Sequence, residues 1–197
     1  MPDHKFSIEA VQVTAMKISV QTLSVSDRRL VAEWAAICAE RVLYLFEAER
    51  PDDERPRAAI ARTRAFSRGE LNTASEIRGR FGGGSAGRDA KSAAAAAAAR
   101  AAGQASAICH MGAHALGAAA YAVKAASLAA SDQAEAAEKE IAWQLGQATA
   151  EVQAALLQLP PVGENKSGPL GPGLLASGQL GEIICQLQTG LAKIGAN

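Results

Sequence analysis

Apolar residues recur at three- and four-residue intervals through every long segment after Ser26, the spacing that gives a helix one buried face. Leu30, Val31, Trp34, Cys38, Val42, Leu45 and Phe46 predict a first helix over about 27–49. Ser26 is its expected N-cap, Val25 and Leu30 its staple, and Glu33, Glu40, Arg41 and Glu47 its solvated side. A second helix follows the charged connection 49–57, capped by Asp53 with Pro56 in its first turn. It carries Ile60 and Phe66 inward, displays Arg57, Arg62, Arg64 and Arg68, and ends near Gly69. Residues 70–81 read as a third helix, closed by Gly82-Gly83-Gly84, after which Ser85 can cap the next segment. Two alanine-rich helices are expected over about 86–102 and 104–130, divided at Gly103.

Asp132 with Glu135 marks another helix start, and the apolar series Ala137, Ile141, Leu145, Ala148, Val152, Leu156 carries that helix to Pro160-Pro161. A Gly/Pro loop over 160–173 leads to a last helix, about 174–193, aligned on Leu180, Ile183, Ile184, Leu187, Leu191 and Ile194. Residues 6–23 depart from this rule. Phe6, Ile8, Ala10 and then Met16, Ile18, Val20 alternate with a period of two, the mark of extended chain or a hairpin, although Ala15-Met16-Lys17 could equally start a helical turn. The pattern therefore predicts an all-α, Ala-rich bundle of about six or seven helices, with any extended or β segment confined to 1–25. Residues 1–25 read as an N-terminal extension, 26–159 as the helical domain, and 160–197 as a loop and C-terminal helix packing on that domain.

Composition changes the picture at one point. The chain holds 46 alanines, seven of them consecutive from Ala93 to Ala99. Alanine is the best helix former but buries little area, so such helices gain stability by close approach. With aromatic residues at only 4%, volume must come from a few anchors: Trp34, Leu45, Phe46, Phe66, Ile141, Leu145 and Leu156.

Charge narrows the function classes. Twenty basic residues balance twenty acidic ones, which argues against a general nucleic-acid binder. No run of large apolar residues is long enough for a membrane span, and no basic flank leads into a signal-like segment. Cys38, Cys109 and Cys185 are odd in number and widely spaced, as free thiols in a reducing compartment would be. A cytoplasmic protein is expected.

Candidate chemistry concentrates in SAICHMGAHALGAAAYAVK, residues 106–124. Read as one helix, it places His110, His114, Gly117, Tyr121 and Lys124 on a single stripe. Two histidines at i,i+4 can chelate a metal, so His110 and His114 are the metal candidates. Met111 stands where a zincin needs its glutamate. Packed, hydrogen-bonded histidines are the leading reading of the same stripe, ahead of a recognition groove and of a metal site. No nucleophile motif occurs. FGGGSAGR over 81–88 lacks the Gly-Lys-Ser/Thr of a P-loop and reads as a hinge, and the arginines of 57–68 read as a mixed solvated face beside Asp52, Asp53, Glu54 and Glu70. No catalytic residue and no cofactor is expected.

Residues 34–70 and 98–125 together resemble the Ala-rich helical family called "putative immunity proteins", which carry an "immunity five-like" domain and are associated with bacterial polymorphic toxin systems. The resemblance rests on Trp34, Cys38, Glu40, Arg41, Phe46 and Glu47; on Pro51, Asp53, Arg55, Pro56, Arg57 and Gly69-Glu70; and on Gly103, His110, His114, Gly117, Tyr121 and Lys124. It covers roughly 26–150. Ile37 departs from it, standing where an acidic residue is expected, and 1–25 and 160–197 are additional. The resemblance implies a non-enzymatic partner of a cognate toxin domain, neutralising it by stoichiometric binding without nucleic acid or membrane. Glu47, Asp52, Asp53, Arg55, Arg57, Glu70, His110, His114, Tyr121 and Lys124 are the partner or groove candidates. A homodimer through the C-terminal helix is a further possibility. The alternative is a small-molecule- or metal-binding helical protein with its site at His110, His114 and Tyr121.

Overall fold

The computed structural model describes residues 19–71 and 85–195. Among these it has seven α-helices and no strand: α1 Val25–Glu47, α2 Arg55–Ser67, α3 Ala93–Ala107, α4 His114–Ala129, α5 Gln133–Gly146, α6 Ala150–Leu156 and α7 Gly178–Ile194. Two 3-10 turns, Val20–Thr22 and Leu174–Ala176, complete it. The helix expected over 70–81 and the alternating segment before Ser19 lie outside the described residues. The described end of the N-terminal stretch is the first 3-10 turn.

Helix α1 runs through the middle, touching α2, α3, α4 and α6. It can do so because Ala32, Ala35, Ala36 and Ala39 bury beside Val31, Trp34, Cys38, Val42 and Phe46 on most of its circumference. Its start differs from expectation. Ser24, not Ser26, is the N-cap, its Oγ accepting from the Asp27 N–H at 3.0 Å. The chain turns at Leu23 (φ +59°), so helical geometry begins immediately afterwards. Val25 and Leu30 consequently lie 44% and 39% exposed and form no staple.

The alanine helices α3 and α4 pack most extensively against each other and both reach α1. Their boundaries overturn the sequence reading. No break falls at Gly103; α3 starts only at Ala93, with Ser92 as its N-cap, and runs to Ala107. The break comes at 108–113 instead, inside the stretch expected to be continuous. Tertiary partners take the backbone groups there. The Gly112 N–H donates to Thr22 O and the Ala113 N–H to Gln21 O, each at 3.0 Å. The buried Arg28 guanidinium donates from Nη1 to Cys109 O. A helix could not have released these groups. Gly112 has a steric reason as well, since a Cβ there would lie 2.5 Å from Leu23 Cδ1.

Asp132 caps α5 as expected, accepting from the Glu135 N–H at 3.0 Å. The helix then stops at Gly146 instead of reaching Pro160. The Trp34 indole donates to Gln144 O at 2.9 Å. Ala148, the residue that would donate to Gln144 O in a continuing helix, donates to Leu145 O instead. Thr149 then caps the short α6. Trp34, Phe46, Phe66, Ile141 and Leu156 are buried as anchors, whereas Leu45 and Leu145 are only half-buried against the core. A polar seam crosses the same region. The buried Glu140 accepts from Arg41 Nε at 2.8 Å and from Gln144 Nε2 at 3.1 Å, and Arg41 lies 4.0 Å over the Trp143 ring. Burial, reinforced by Glu140, pushes the Cys38 thiol well above its ordinary pKa. Finally α7 buries Leu180, Ile183, Ile184, Leu187 and Leu191, while Ile194 at its end is exposed instead of joining them, and it packs on α4, with smaller contacts to α5 and α6.

Trp34 thus supplies both volume and a hydrogen bond. Trp34→Ala should cost roughly 3–5 kcal/mol in urea unfolding. Trp34→Phe should cost about 0.5–1.5 kcal/mol for the lost indole hydrogen bond, since the Gln144 carbonyl keeps the Gln147 N–H. Equal stability of the Phe variant and wild type would show that this bond does not hold the α5–α6 corner.

Candidate partner-binding surface

The break at 108–113 divides the candidate stripe. His110 lies exposed in the turn, while His114 opens α4. The two no longer share a helix face, so the i,i+4 argument for a common metal loses its geometric basis. His114, Gly117, Tyr121 and Lys124 do remain at helical spacing along α4. His114 Nδ1 is 2.8 Å from Gln104 Oε1 on α3. Gly117 leaves room for that amide, since a Cβ there would lie 2.6 Å from Gln104 Oε1. Tyr121 is buried, which raises its hydroxyl pKa, with Arg100 pulling the other way. Lys124 is half-buried. No group of three or more His, Cys, Asp or Glu comes together as a metal set among the described residues.

The α1–α2 corner collects Glu47, Asp52, Asp53, Arg55 and Arg57. Glu54, not Asp53, occupies the N-cap position of α2 and makes no side-chain cap. Asp53 does serve the first turn, accepting from the Arg55 N–H at 3.2 Å and from Arg55 Nε at 2.8 Å. The Arg55 fork also reaches Asp89 at 2.5 Å, and Arg50 Nε donates to Asp89 O at 2.8 Å. Glu49 accepts from the Lys91 and Ser92 N–H groups at 2.7 and 3.1 Å, just before α3. The corner therefore clamps residues 89–92. Arg57 pairs with Glu47 at 2.6 Å, and Asp52 stands exposed beside them. Glu70 lies beyond the far end of α2, paired with Arg68 at 2.6 Å.

Between these ends, α1 and α2 exchange charge along their seam. Arg64 reaches Glu33 and also Glu40, the latter at 2.6 Å, while Ser67 Oγ donates to Glu33 at 2.8 Å. Glu33, Ile37, Glu40, Tyr44 and Glu47 follow one helical row. Ile37 is half-buried in it, and Tyr44 is 62% exposed. Tyr44 was not among the sequence candidates. Its signal was available, since it stands four residues after Glu40 and three before Glu47, on the polar face. An exposed tyrosine held among paired charges is a common interface anchor.

Electrostatics follow the geometry. The Arg55 guanidinium lowers the Asp53 and Asp89 carboxyl pKa values, and hydrogen bonding from Ser92 and then the backbone N–H groups lowers that of Glu49. Arg55 is raised in return, by Asp53 first and then Asp89. These carboxylates ionise more readily folded than unfolded, so the clamp stabilises fully above the ordinary carboxylate range. The contribution is lost as pH falls from about 4 through the lowered folded values. Urea unfolding between about pH 6 and pH 3 should show a smaller acid loss for Arg55→Gln than for wild type. Parallel curves would show that the clamp does not couple to folding.

No helix among the described residues is long and apolar enough to cross a membrane. Comparison with curated proteins and with solved structures gave no match. One family model does match, over residues 21–151, a span that opens in the first 3-10 turn and ends as α6 begins. It covers both segments that carried the resemblance. The chain belongs to the family described as Imm-5 like putative immunity protein.

Proposed function

We propose that this protein protects a bacterial cell by binding a cognate toxin domain one to one and blocking its action, with no chemistry of its own. The family match over 21–151 carries this reading. Two features support it. The α1–α2 face presents Tyr44 at 62% exposure between carboxylates already braced by Arg57 and Arg64, so little side-chain entropy remains to be lost on binding. The charged clamp at 47–57 also holds that face in one arrangement before any partner arrives. In this reading residues 26–159 are the binding unit, 160–197 close its far side, and the protein works in the cytoplasm. Separation of His110 from His114 leaves the metal- or small-molecule alternative without a specific observation in its favour.

The test is co-expression with the toxin-like product of an adjacent gene. A 1:1 complex in sedimentation and survival of cells otherwise killed by the toxin are the expected results. Tyr44→Ala should weaken the complex by about tenfold or more, the range of an aromatic interface anchor, with melting temperature unchanged. Failure of the wild-type chain to bind or protect would overturn the proposal.

A further inference from the structure

Arg29, on α1, has no carboxylate partner among the described residues. Around it the acids are committed: Glu33 to Arg64 and Ser67, and Glu70 to Arg68. Among the described residues nothing pairs with the Arg29 guanidinium, and its Nε is shut off from solvent with no hydrogen bond. That Nε is closed to a guest as well as to water, but the Nη atoms are not among the closed ones, and a carboxylate on the Nη edge would give the guanidinium a charged partner.

The surroundings are built for such a guest. Arg29 lines a groove of about 670 Å³ between the first turns of α1, the end of α2 and the start of α6. Ser67 and Thr149 bring hydroxyls to it, and Leu30 and Val152 give it an apolar wall. Leu30 is 39% exposed there. Gly69 keeps the guanidinium in place and free. Its φ of +79° suits glycine, and a Cβ would come within 3.3 Å of Arg29 Nη1.

We propose that this groove receives an acidic segment of the partner protein, an Asp or Glu carboxylate on Arg29 with a neighbouring apolar side chain against Leu30 and Val152. The inference rests on the protein-binding reading above and adds the chemistry of the contact. Charge complementarity selects the occupant, because the groove's own carboxylates are neutralised while Arg29 is not. The apolar wall favours a peptide over a free inorganic anion.

Two measurements test it separately from the toxin reading. In the first, the Arg29 Nε–Hε resonance is followed by NMR during titration with the capped peptide acetyl-Leu-Glu-Leu-amide, with its Gln counterpart and with inorganic phosphate. A saturable shift with the Glu peptide alone is expected. No shift, or an equal one with phosphate, would overturn the groove assignment. In the second, affinity for the adjacent toxin domain is compared among wild type, Arg29→Gln, Arg29→Lys and Lys139→Gln, the last being a matched charge loss on the exposed side of α5. Arg29→Gln should weaken binding about tenfold or more, Arg29→Lys should recover part of it, and Lys139→Gln should bind as wild type. Unaltered toxin affinity in Arg29→Gln would sink the inference while leaving the toxin reading intact. A peptide response with no toxin binding by wild type would do the reverse.

Discussion

Helices faced with alanine can approach closely, but each alanine removes little apolar surface from water, so the bundle depends on how near its axes come and on a few large side chains that fill the corners. This constraint organises the structure around α1 and α4, whose buried alanines allow several neighbours each. Trp34 is where it is most visible. The indole fills the space that alanine leaves and its N–H takes the Gln144 carbonyl, so one residue both anchors the core and ends α5. Gly112 and Gly117 extend the same logic to the helix ends, each admitting a side chain, Leu23 or Gln104, where a methyl group would collide.

Polar groups then stabilise what apolar area cannot. Gln21 is buried and spends both ends of its amide on the loop near the C-terminal helix, donating to Ser167 O at 2.7 Å and accepting from the Leu170 N–H at 3.0 Å. Its backbone carbonyl meanwhile meets Ala113. Arg28 pins Cys109 O from α1. These bonds join chain segments far apart in sequence and replace part of the cohesion a larger core would supply. The ion-pair clamp of Asp53, Arg55 and Asp89 works on the outside, where screening makes each pair weak, and its value lies in fixing the geometry of a corner.

In the proposed protein-binding role, a surface whose side chains are already held would lose little entropy on binding. Most of the charged residues that drew attention in the sequence are engaged within the chain, and this makes them scaffold before anything else. Among the described residues the scaffold leaves over an exposed tyrosine on the polar row of α1 and, about four turns away near the start of that helix, an arginine with no carboxylate partner in its own groove. Neither is conspicuous in the sequence. Arg29 in particular is one arginine of a pair, and its neighbour Arg28 is buried in the core.

Helical periodicity was enough to read the all-α class, the approximate number of helices, the capping role of Asp132 and most of the core anchors, because those depend on local spacing and intrinsic preference. The ordered series from Trp34 to Lys124 was likewise enough for the family. The positions of the breaks were decided elsewhere. Local signals at the two breaks are weak: Gly112 and Gly146 are poor helix formers and Thr149 can cap, yet none of these by itself ends a helix. The chain turns there because Gln21, Thr22, Arg28 and Trp34, each far away along the chain, compete for backbone groups that a helix would otherwise use. His110 left the stripe for the same reason: a spacing of four defines a shared face only if the helix is continuous, and continuity was settled by partners that only the folded chain brings together.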